Sequence, residues 1–488
     1  MKNISIIGSG FSSLAAACYL AQAGHKVTVF EKNNTVGGRA RQLTRDGFTF
    51  DIGPSWYWMP DVFERFFSDF NKKTTHYYKL TKLNPAYTVF FGKDETITIE
   101  DTLEKICIAF EKEESGSSIK LRKFMSEALD NYQIAIKDLV YRPGVSPLEL
   151  ITPLTVKKIG QFFSTVSKEV RKEFKNPKLI SILEFPVLFL GAKPSKTPAF
   201  YSFMNYADFG LGTFYPENGM YSVIQAMQAL AEELGVTIKT NQKVEKIVVE
   251  DRNAVGLVIN GDSLASDIVV SGADYHHTES LLEPKYRQYS EAYWSRRTFA
   301  PSALLFYVGF SKKLKNVSHH SLFFDVDFEA HARDIYDAPQ WPEAPLFYAS
   351  FPSITDTHCA PADNEAGIFL IPLAPGLTDI QEIREEYFEK IMSRFENITN
   401  QEVNNYVIFK ESFCINDFIA DYNSYKGNAY GLANTLMQTA FLRPKLKSKK
   451  VRNMFFTGQL SVPGPGVPPS LISGKLVAGL IQKEITTS

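Results

Sequence analysis

The first 31 residues constrain the fold of this chain more than any other segment. A short apolar run over residues 4–7 predicts a β-strand, and the turn Gly8-Ser9-Gly10 follows it directly. Leu14, Ala17, Cys18 and Ala21 then recur at i, i+3, i+4 and i+7, the spacing of residues on one face of a helix. Gly24 is placed to end that helix, and residues 26–30 predict a second strand. The pattern therefore predicts a βαβ unit with a glycine turn after its first strand.

Such a turn is typical of a dinucleotide site. Gly8 permits the tight turn, and Gly10 lets backbone N–H groups approach a pyrophosphate at the positive end of the helix. The third position of the fingerprint is Ser13, which keeps a small side chain at the helix–strand contact. Glu31 has the spacing of the acid that accepts from ribose hydroxyls and repels a 2′-phosphate, which disfavours NADP. The further glycine pair in Gly37-Gly38-Arg39 favours a flavin.

Composition excludes several classes of protein. Hydrophobic residues make up 44% and charged residues 22% of the 488, which predicts a globular protein of two or three lobes. A net charge of −1 provides no field that would recruit nucleic acid. Four scattered cysteines lack metal-like spacing and indicate a reducing compartment, and adjacent histidine pairs disfavour a helical zinc site. With no signal peptide and no apolar run of about 20 residues, we expect a cytoplasmic protein that is peripherally associated with the inner face of the membrane.

The remaining elements suggest a nucleotide-binding lobe built from separate parts of the chain. Helices are predicted over residues 101–113, 119–140, 156–174, 221–234 and 470–485. Strands are predicted over residues 236–239, 243–249, 254–259, 267–270 and 454–456. A Gly/Pro-rich turn precedes the last helix, whose N-terminus could point at the electron-rich edge of a reduced flavin.

Longer motifs are distributed over the whole chain. They are Gly8-x-Gly10, Glu31, Gly37-Gly38-Arg39-Ala40, Phe50-Asp51-Ile52-Gly53-Pro54-Ser55, Tyr215-Pro216-x-x-Gly219-Met220, Ser271-Gly272-Ala273-Asp274, the run from Gln438 to Pro444, Thr457-Gly458 and the run from Pro463 to Pro468. Together they resemble the amine-oxidase-like FAD flavoproteins and, within that superfamily, the bacterial-type phytoene desaturases. The chain departs from the family at Gln459-Leu460-Ser461-Val462, where the family has small residues and histidine.

The resemblance implies an α/β and α+β fold with a discontinuous Rossmann-like FAD-binding domain. We assign residues 1–80, 220–280 and 445–488 to that domain. A mixed-sheet substrate domain would comprise 81–100, 200–219 and 281–444, and a helical, membrane-associating lobe 101–199. FAD would be held non-covalently, because no cysteine lies in the C-terminal segment. The cofactor-binding residues are predicted to be Gly8, Gly10, Phe11, Ser12, Ser13, Glu31, Lys32, Gly38, Arg39, Gly53, Pro54, Ser55, Val244, Gly458, Gly466 and Val467.

The implied activity is stepwise desaturation of phytoene towards lycopene by hydride transfer to the flavin, with a quinone or oxygen as the final acceptor. A later-acting carotenoid desaturase, an isomerase of the same family or an amine oxidase would share these cofactor motifs and is one alternative. A non-catalytic flavin-containing carotenoid-binding protein is another. No metal is expected. No catalytic residue is assigned, although acids of the helical lobe such as Asp138 are candidates for a base.

Three further features have two interpretations each. Trp56-Tyr57-Trp58 could line a polyene tunnel or pack in the core, and so could the aromatic segment 299–351. Residues 156–175 hold six basic and two acidic residues, a net charge of +4, with Phe162, Phe163, Val166 and Val170 among them. That segment could lie at an anionic membrane surface or pack its apolar stripe on the core. The basic run 443–452 is interpreted as a solvated loop.

Overall fold

A computed structural model describes residues 1–137 and 139–487. The strands are β1 Asn3–Ile7, β2 Lys26–Phe30, β3 Gln42–Arg45, β4 Phe48–Asp51, β5 Leu80–Lys82, β6 Tyr87–Gly92, β7 Glu95–Ile99, β8 Phe214–Pro216, β9 Thr237–Lys239, β10 Val244–Glu250, β11 Asn253–Ile259, β12 Asp262–Ala265, β13 Ile268–Ser271, β14 Ser302–Phe310, β15 His320–Phe323, β16 Phe347–Ser350, β17 Glu365–Leu373, β18 Val407–Phe413 and β19 Met454–Phe456.

The α-helices are α1 Phe11–Gln22, α2 Pro60–Ser68, α3 Leu103–Glu113, α4 Ser117–Lys137, α5 Pro153–Lys157, α6 Ile159–Phe163, α7 Val166–Glu173, α8 Pro177–Glu184, α9 Phe203–Asn205, α10 Tyr221–Glu233, α11 Tyr275–Ser280, α12 Glu291–Ser295, α13 Phe328–Tyr336, α14 Gln381–Thr399, α15 Ile415–Tyr422 and α16 Val467–Thr487. Short 3₁₀ turns join many of them.

The N-terminal sheet is parallel and has the order β19-β13-β1-β2-β9. Its strands come from the beginning, the middle and the end of the chain, as the hydrophobic periods predicted. Helix α1 packs against α10 and α16. The contact with α16 is close, since a Cβ on Gly474 would lie 2.5 Å from the Ser12 carbonyl oxygen and 2.6 Å from the Ala15 Cβ.

A second, larger sheet has seven strands in the order β18-β14-β17-β16-β15-β6-β7. Its pairs are antiparallel except β15 with β6, so the sheet is mixed. Helix α14 covers one face through Ile391, Met392 and Phe395, which pack on Phe369 and neighbouring side chains of the sheet. The region from α3 to α9 is helical. The predicted class, a discontinuous Rossmann-like domain with a mixed sheet and a helical lobe, is confirmed.

The predicted helix over residues 156–174 is wrong as a single element. The chain forms three short helices there, α5 to α7, because Ser164 and Thr165 are extended and Thr165 pairs with Pro198 in an isolated bridge. The Thr165 side chain then caps α7. Helix α16 begins at Val467 rather than Ser470, since two prolines fit the first turn of a helix. The strands β3 to β8, β12 and β14 to β18 were not individually predicted.

Candidate functional site

A cavity of about 950 Å³ runs through the protein from the glycine turn of the parallel sheet to the helical region. One end is lined by the backbone of Gly8 to Gly10 and the end of β2, and the other by side chains of α4 to α6. The two ends differ in chemistry: the first is polar and backbone-rich, whereas the second is apolar. A ligand with a phosphate-bearing part and a second, apolar ligand could therefore share this space.

The glycine turn provides the close backbone approach that a pyrophosphate requires. Gly8 has φ +86°, and a Cβ there would lie 3.4 Å from the Ala273 nitrogen. Its own N–H donates to the Phe30 carbonyl at 2.8 Å, which ties the turn to β2. A Cβ on Gly10 would meet no protein atom within 4 Å. The space beside Gly10, at the N-terminus of α1, is thus an open cradle that a side chain would fill.

Glu31 lies at the end of β2 and organises this turn. One carboxylate oxygen, Oε2, accepts from the Ser9 N–H at 3.0 Å and from the Ser9 hydroxyl at 2.7 Å. The other, Oε1, accepts from the Asn33 N–H at 2.9 Å. The buried carboxylate is held beside the cradle by three donors, in the position of the ribose-binding acid of dinucleotide sites.

The second glycine pair places a cation beside the cradle. A Cβ on Gly53 would lie 1.8 Å from the Arg39 carbonyl oxygen, so only glycine fits where these two segments cross. The Arg39 guanidinium donates to Ser424 Oγ at 3.1 Å. Burial lowers the pKa of Arg39, while nearby Asp274 raises it. The family-divergent Gln459 reaches this cation, with its amide oxygen 3.1 and 3.2 Å from the guanidinium nitrogens when it faces them.

The C-terminal segment closes the same cavity. The Gly458 N–H donates to Ser473 Oγ at 3.0 Å, which joins the end of β19 to α16. The first turn of α16 lines the cavity from Gly466 to Ser470. Pro468 and Pro469 lack an N–H. The N-terminus of α16 therefore acts on a ligand in the cavity through the helix dipole more than through hydrogen-bond donors.

Arg443 has a structural role that the sequence analysis did not identify, although the residue belongs to the motif from Gln438 to Pro444. It was grouped with a solvated basic loop, but its side chain is buried, with 2% exposed. It donates to the carbonyl oxygens of Ser461 at 2.9 Å and Gln459 at 2.8 Å, and to Asn434 Oδ1 at 2.6 Å. Burial lowers its pKa to about 10. Arg443 therefore fixes the backbone of the family-divergent segment, a role that no local pattern revealed.

Nearly all the predicted cofactor residues meet in this one cavity. Those that line it are Gly8, Gly10, Phe11, Ser12, Glu31, Lys32, Gly38, Arg39, Gly53, Pro54, Ser55, Val244, Gly458, Gly466 and Val467. Ser13 lies behind the cavity wall, where a Cβ on Gly272 would come within 2.0 Å of its hydroxyl oxygen. It acts in helix–strand packing, as the small third position of the fingerprint does. Asp138 lies outside the described residues.

Of the aromatic cluster Trp56-Tyr57-Trp58, two residues line the cavity and one packs in the core. Trp56 and Trp58 line the cavity. Tyr57 points into the core between them, stacked on Phe63 at 4.2 Å and bonded to the Tyr78 hydroxyl at 2.8 Å. This alternation follows from the extended backbone, in which successive side chains point to opposite sides.

Within the described part of the chain, no cluster of three or more His, Cys, Asp or Glu side chains is arranged to hold a metal ion. The four cysteines are buried and unpaired, and none lines the cavity. No described helix is long and apolar enough to cross a bilayer.

Comparisons with known proteins give one consistent result. The family model described as flavin containing amine oxidoreductase matches residues 11–482. A carotenoid 3,4-desaturase of Haloarcula japonica is 40% identical, with 99% of each chain covered. A 4,4′-diapophytoene desaturase (4,4′-diaponeurosporene-forming) of Staphylococcus haemolyticus is 30% identical, with the same coverage. A crystal structure of an oxidoreductase from Methanosarcina mazei superposes with a TM-score of 0.63 at 16% identity, covering 98% of this chain and 100% of that one.

Proposed function

Because this chain belongs to the flavin-containing amine oxidoreductase family, with FAD as its cofactor, we propose that it is a carotenoid desaturase. When bound, FAD supplies the two-electron acceptor for removing a hydride from carbon. The observation that supports this function best is the cavity itself, which continues from the glycine cradle into an apolar channel beside Trp56 and Trp58. Such a channel suits a long hydrocarbon.

The cofactor residues are proposed to act in three groups. Gly8, Gly10 and the N-terminus of α1 hold the pyrophosphate through backbone N–H groups. Glu31 accepts from the ribose hydroxyls. Arg39 and the first turn of α16 place positive charge and dipole near the redox-active ring. None of the four cysteines reaches the cavity, which supports non-covalent binding.

Two substrates are candidates. Identity is higher to the 3,4-desaturase of Haloarcula japonica than to the diapophytoene desaturase, which favours a later-acting desaturase that extends an already conjugated polyene. Stepwise conversion of phytoene towards lycopene is the second candidate. Purified holoenzyme should be incubated with liposomes loaded with phytoene or with lycopene, and the pigments separated by chromatography. Longer chromophores from lycopene alone would select the first candidate, and those from phytoene the second.

We further propose that the protein docks on the inner membrane surface through the mouth of the cavity. Seven apolar side chains in residues 145–163 are at least 54% exposed, namely Val145, Leu148, Ile151, Leu154, Val156, Ile159 and Phe163, here called the apolar rim. Four of them, Ile151, Val156, Ile159 and Phe163, also line the cavity. A forty-carbon hydrocarbon costs about 0.8 kcal/mol per methylene to expose to water, so its entrance should open directly into lipid.

The apolar rim overlaps the N-terminal part of the predicted segment 156–175 through Val156, Ile159 and Phe163, and we propose that this part, not the part from Val166 onward, contacts the membrane. Val166 and Val170 of that segment are buried in the core. Arg171 is bonded to buried Glu184 at 3.0 Å, so its charge is not free for lipid. Lys157 lies within the rim and adds about 1 kcal/mol near anionic lipid.

Vesicle sedimentation tests this docking. Phe163 is 78% exposed, so Phe163→Asp should leave the fold intact and lower the fraction bound to phosphatidylglycerol vesicles. Ile408→Asp is the matched control, since Ile408 is 57% exposed on β18 and does not line the cavity. Equal binding of the two variants would refute docking through the rim.

The final electron acceptor is proposed to be a quinone or oxygen. Anaerobic turnover with a quinone in the liposomes, compared with aerobic turnover without it, separates the two.

A further inference from the structure

A short chain of hydrogen bonds runs from the cavity wall into the protein at Tyr348. The Tyr348 hydroxyl oxygen lies 2.9 Å from Ser55 Oγ and 2.7 Å from Nδ1 of His320. Ser55 and Tyr348 line the cavity, whereas His320 is 0% exposed. The phenol thus connects the cavity with a buried imidazole.

The surroundings of His320 suit a group that gains a proton only briefly. Burial lowers the pKa of His320 well below its ordinary value and raises that of Tyr348, so both are neutral at rest. The imidazole ring is stacked on Trp56, with 4.0 Å between ring centroids and 11° between planes. An aromatic face stabilises a cation by about 2 kcal/mol when water is excluded. Trp56 therefore stabilises an imidazolium without holding a permanent charge.

The acids that line the cavity are less well placed for proton transfer near Tyr348. Of the described acids that line it, Glu31, Asp274 and Asp421 lie at the glycine end, and Glu149 lies beside the apolar rim. The Glu149 carboxylate already accepts hydrogen bonds from the backbone N–H groups of residues 144–146. The Tyr348 hydroxyl, in contrast, lines the cavity with a buried imidazole directly behind it.

We propose that Tyr348, supported by His320, accepts the proton released when the carbon–carbon double bond forms. This inference rests on the proposed desaturase function, in which a hydride and a proton leave neighbouring carbons. The C–H bond of the second carbon breaks, and its electron pair becomes the new π bond. Its proton bonds to the Tyr348 oxygen while the original phenolic proton moves to His320 Nδ1. Tyr348 stays neutral and His320 becomes an imidazolium; FAD, when bound, would supply the two-electron acceptor for the hydride.

A route for the proton to leave lies on the same side. Ser55 lines a second, small cavity together with Asp51, His319 and Tyr215. Burial raises the pKa of Asp51 to about 7, although two backbone donors lower it in part. A carboxyl with this pKa exchanges protons readily near neutral pH. Because Ser55 lines both cavities and is bonded to Tyr348, its hydroxyl lies between the reaction cavity and the small cavity that Asp51 lines.

Isotope effects on single turnovers test this proposal. Carotenoid deuterated separately at each of the two reacting carbons is given to anaerobic holoenzyme in liposomes, and product is measured by chromatography. Tyr348→Phe removes one oxygen and should slow product formation about 100-fold or more, the usual contribution of a positioned acid–base group. The isotope effect at the proton-losing carbon should rise above that of the wild type. FAD occupancy and quenching of tryptophan fluorescence by bound carotenoid should not change.

Two His320 variants separate base support from packing. His320→Phe keeps a ring against Trp56 but has no acceptor, so it should behave as Tyr348→Phe does. His320→Gln keeps an acceptor and should recover part of the rate. Tyr78→Phe is the control, because it removes a buried hydroxyl that bonds Tyr57 and does not line the cavity; its isotope effect should equal that of the wild type.

The results have distinct meanings. A wild-type rate and isotope effect in Tyr348→Phe would overturn the proposal, and so would a slow variant whose isotope effect is unchanged while carotenoid affinity falls. A wild-type protein that desaturates no carotenoid would refute the proposed function instead.

Discussion

Gly10→Ala should separate cofactor binding from folding. Gly10 has φ −71° and ψ 175°, a conformation open to alanine, and its added Cβ would meet no protein atom within 4 Å. The substitution should change the stability of the FAD-free protein by less than about 1 kcal/mol, the range for helix N-cap replacements. The methyl group would instead occupy the cradle beside the backbone N–H groups at the start of α1.

The expected loss of affinity follows from the contacts displaced. A hydrogen bond from an N–H to a charged phosphate contributes about 1.5–3 kcal/mol, so losing one raises the FAD dissociation constant about 10- to 160-fold. FAD is titrated into the FAD-free protein by fluorescence quenching, and the melting temperature is measured without FAD.

Gly474→Ala is the opposite control. Its Cβ would lie 2.5 Å from the Ser12 carbonyl oxygen, outside the residues that line the cavity. It should lower the melting temperature of the FAD-free protein through overpacking of about 1–3 kcal/mol. A Gly10→Ala protein that melts as early as Gly474→Ala, or binds FAD as tightly as the wild type, would refute the reasoning.

Three further outcomes are expected. Arg443→Met should destabilise the protein by about 2–6 kcal/mol and reduce FAD occupancy. It leaves the buried carbonyls of Gln459 and Ser461 without their Arg443 donor, at about 1–3 kcal/mol each. Denaturant unfolding measures the first effect and flavin absorbance the second. Asp208→Asn should remove a fall in stability as pH rises from about 4 to 7. Burial raises the folded-state pKa of Asp208 to about 7. The protonated Asp208 therefore contributes fully to stability below its unfolded-state pKa, and this contribution is lost as the pH rises through the folded-state pKa. Melting at a series of pH values should show a loss of up to about 4 kcal/mol in the wild type that the variant lacks. Phe163→Asp should weaken vesicle binding relative to Ile408→Asp, as sedimentation would show.

The parallel sheet and the glycine end of the cavity could be predicted because their signals are local. Strand period, the turn Gly8-Ser9-Gly10 and the spacing to Glu31 each act over a few residues, and backbone geometry dictates glycine at such turns. The family resemblance added Gly458 and Gly466, near the C-terminal end of the chain, to the predicted cofactor site.

The remainder of the site depends on contacts that no local pattern encodes. Ser55 and Tyr348 are 293 residues apart in sequence, yet their hydroxyls are 2.9 Å apart. Arg443 looked like the start of a solvated basic run, and only the packing of the C-terminal segment shows it to be buried. The break at Thr165 arises from its bridge to Pro198, a tertiary contact that overrides helical spacing.

The account is tested most directly by counting electrons in one anaerobic turnover. Holoenzyme in liposomes is given excess carotenoid, the pigment is extracted without oxygen, and both the reduced flavin and the new double bonds are measured. One new carbon–carbon double bond for each FAD reduced is the predicted result. Fully oxidised flavin with unchanged carotenoid would contradict it and would favour a protein that binds the polyene without reacting.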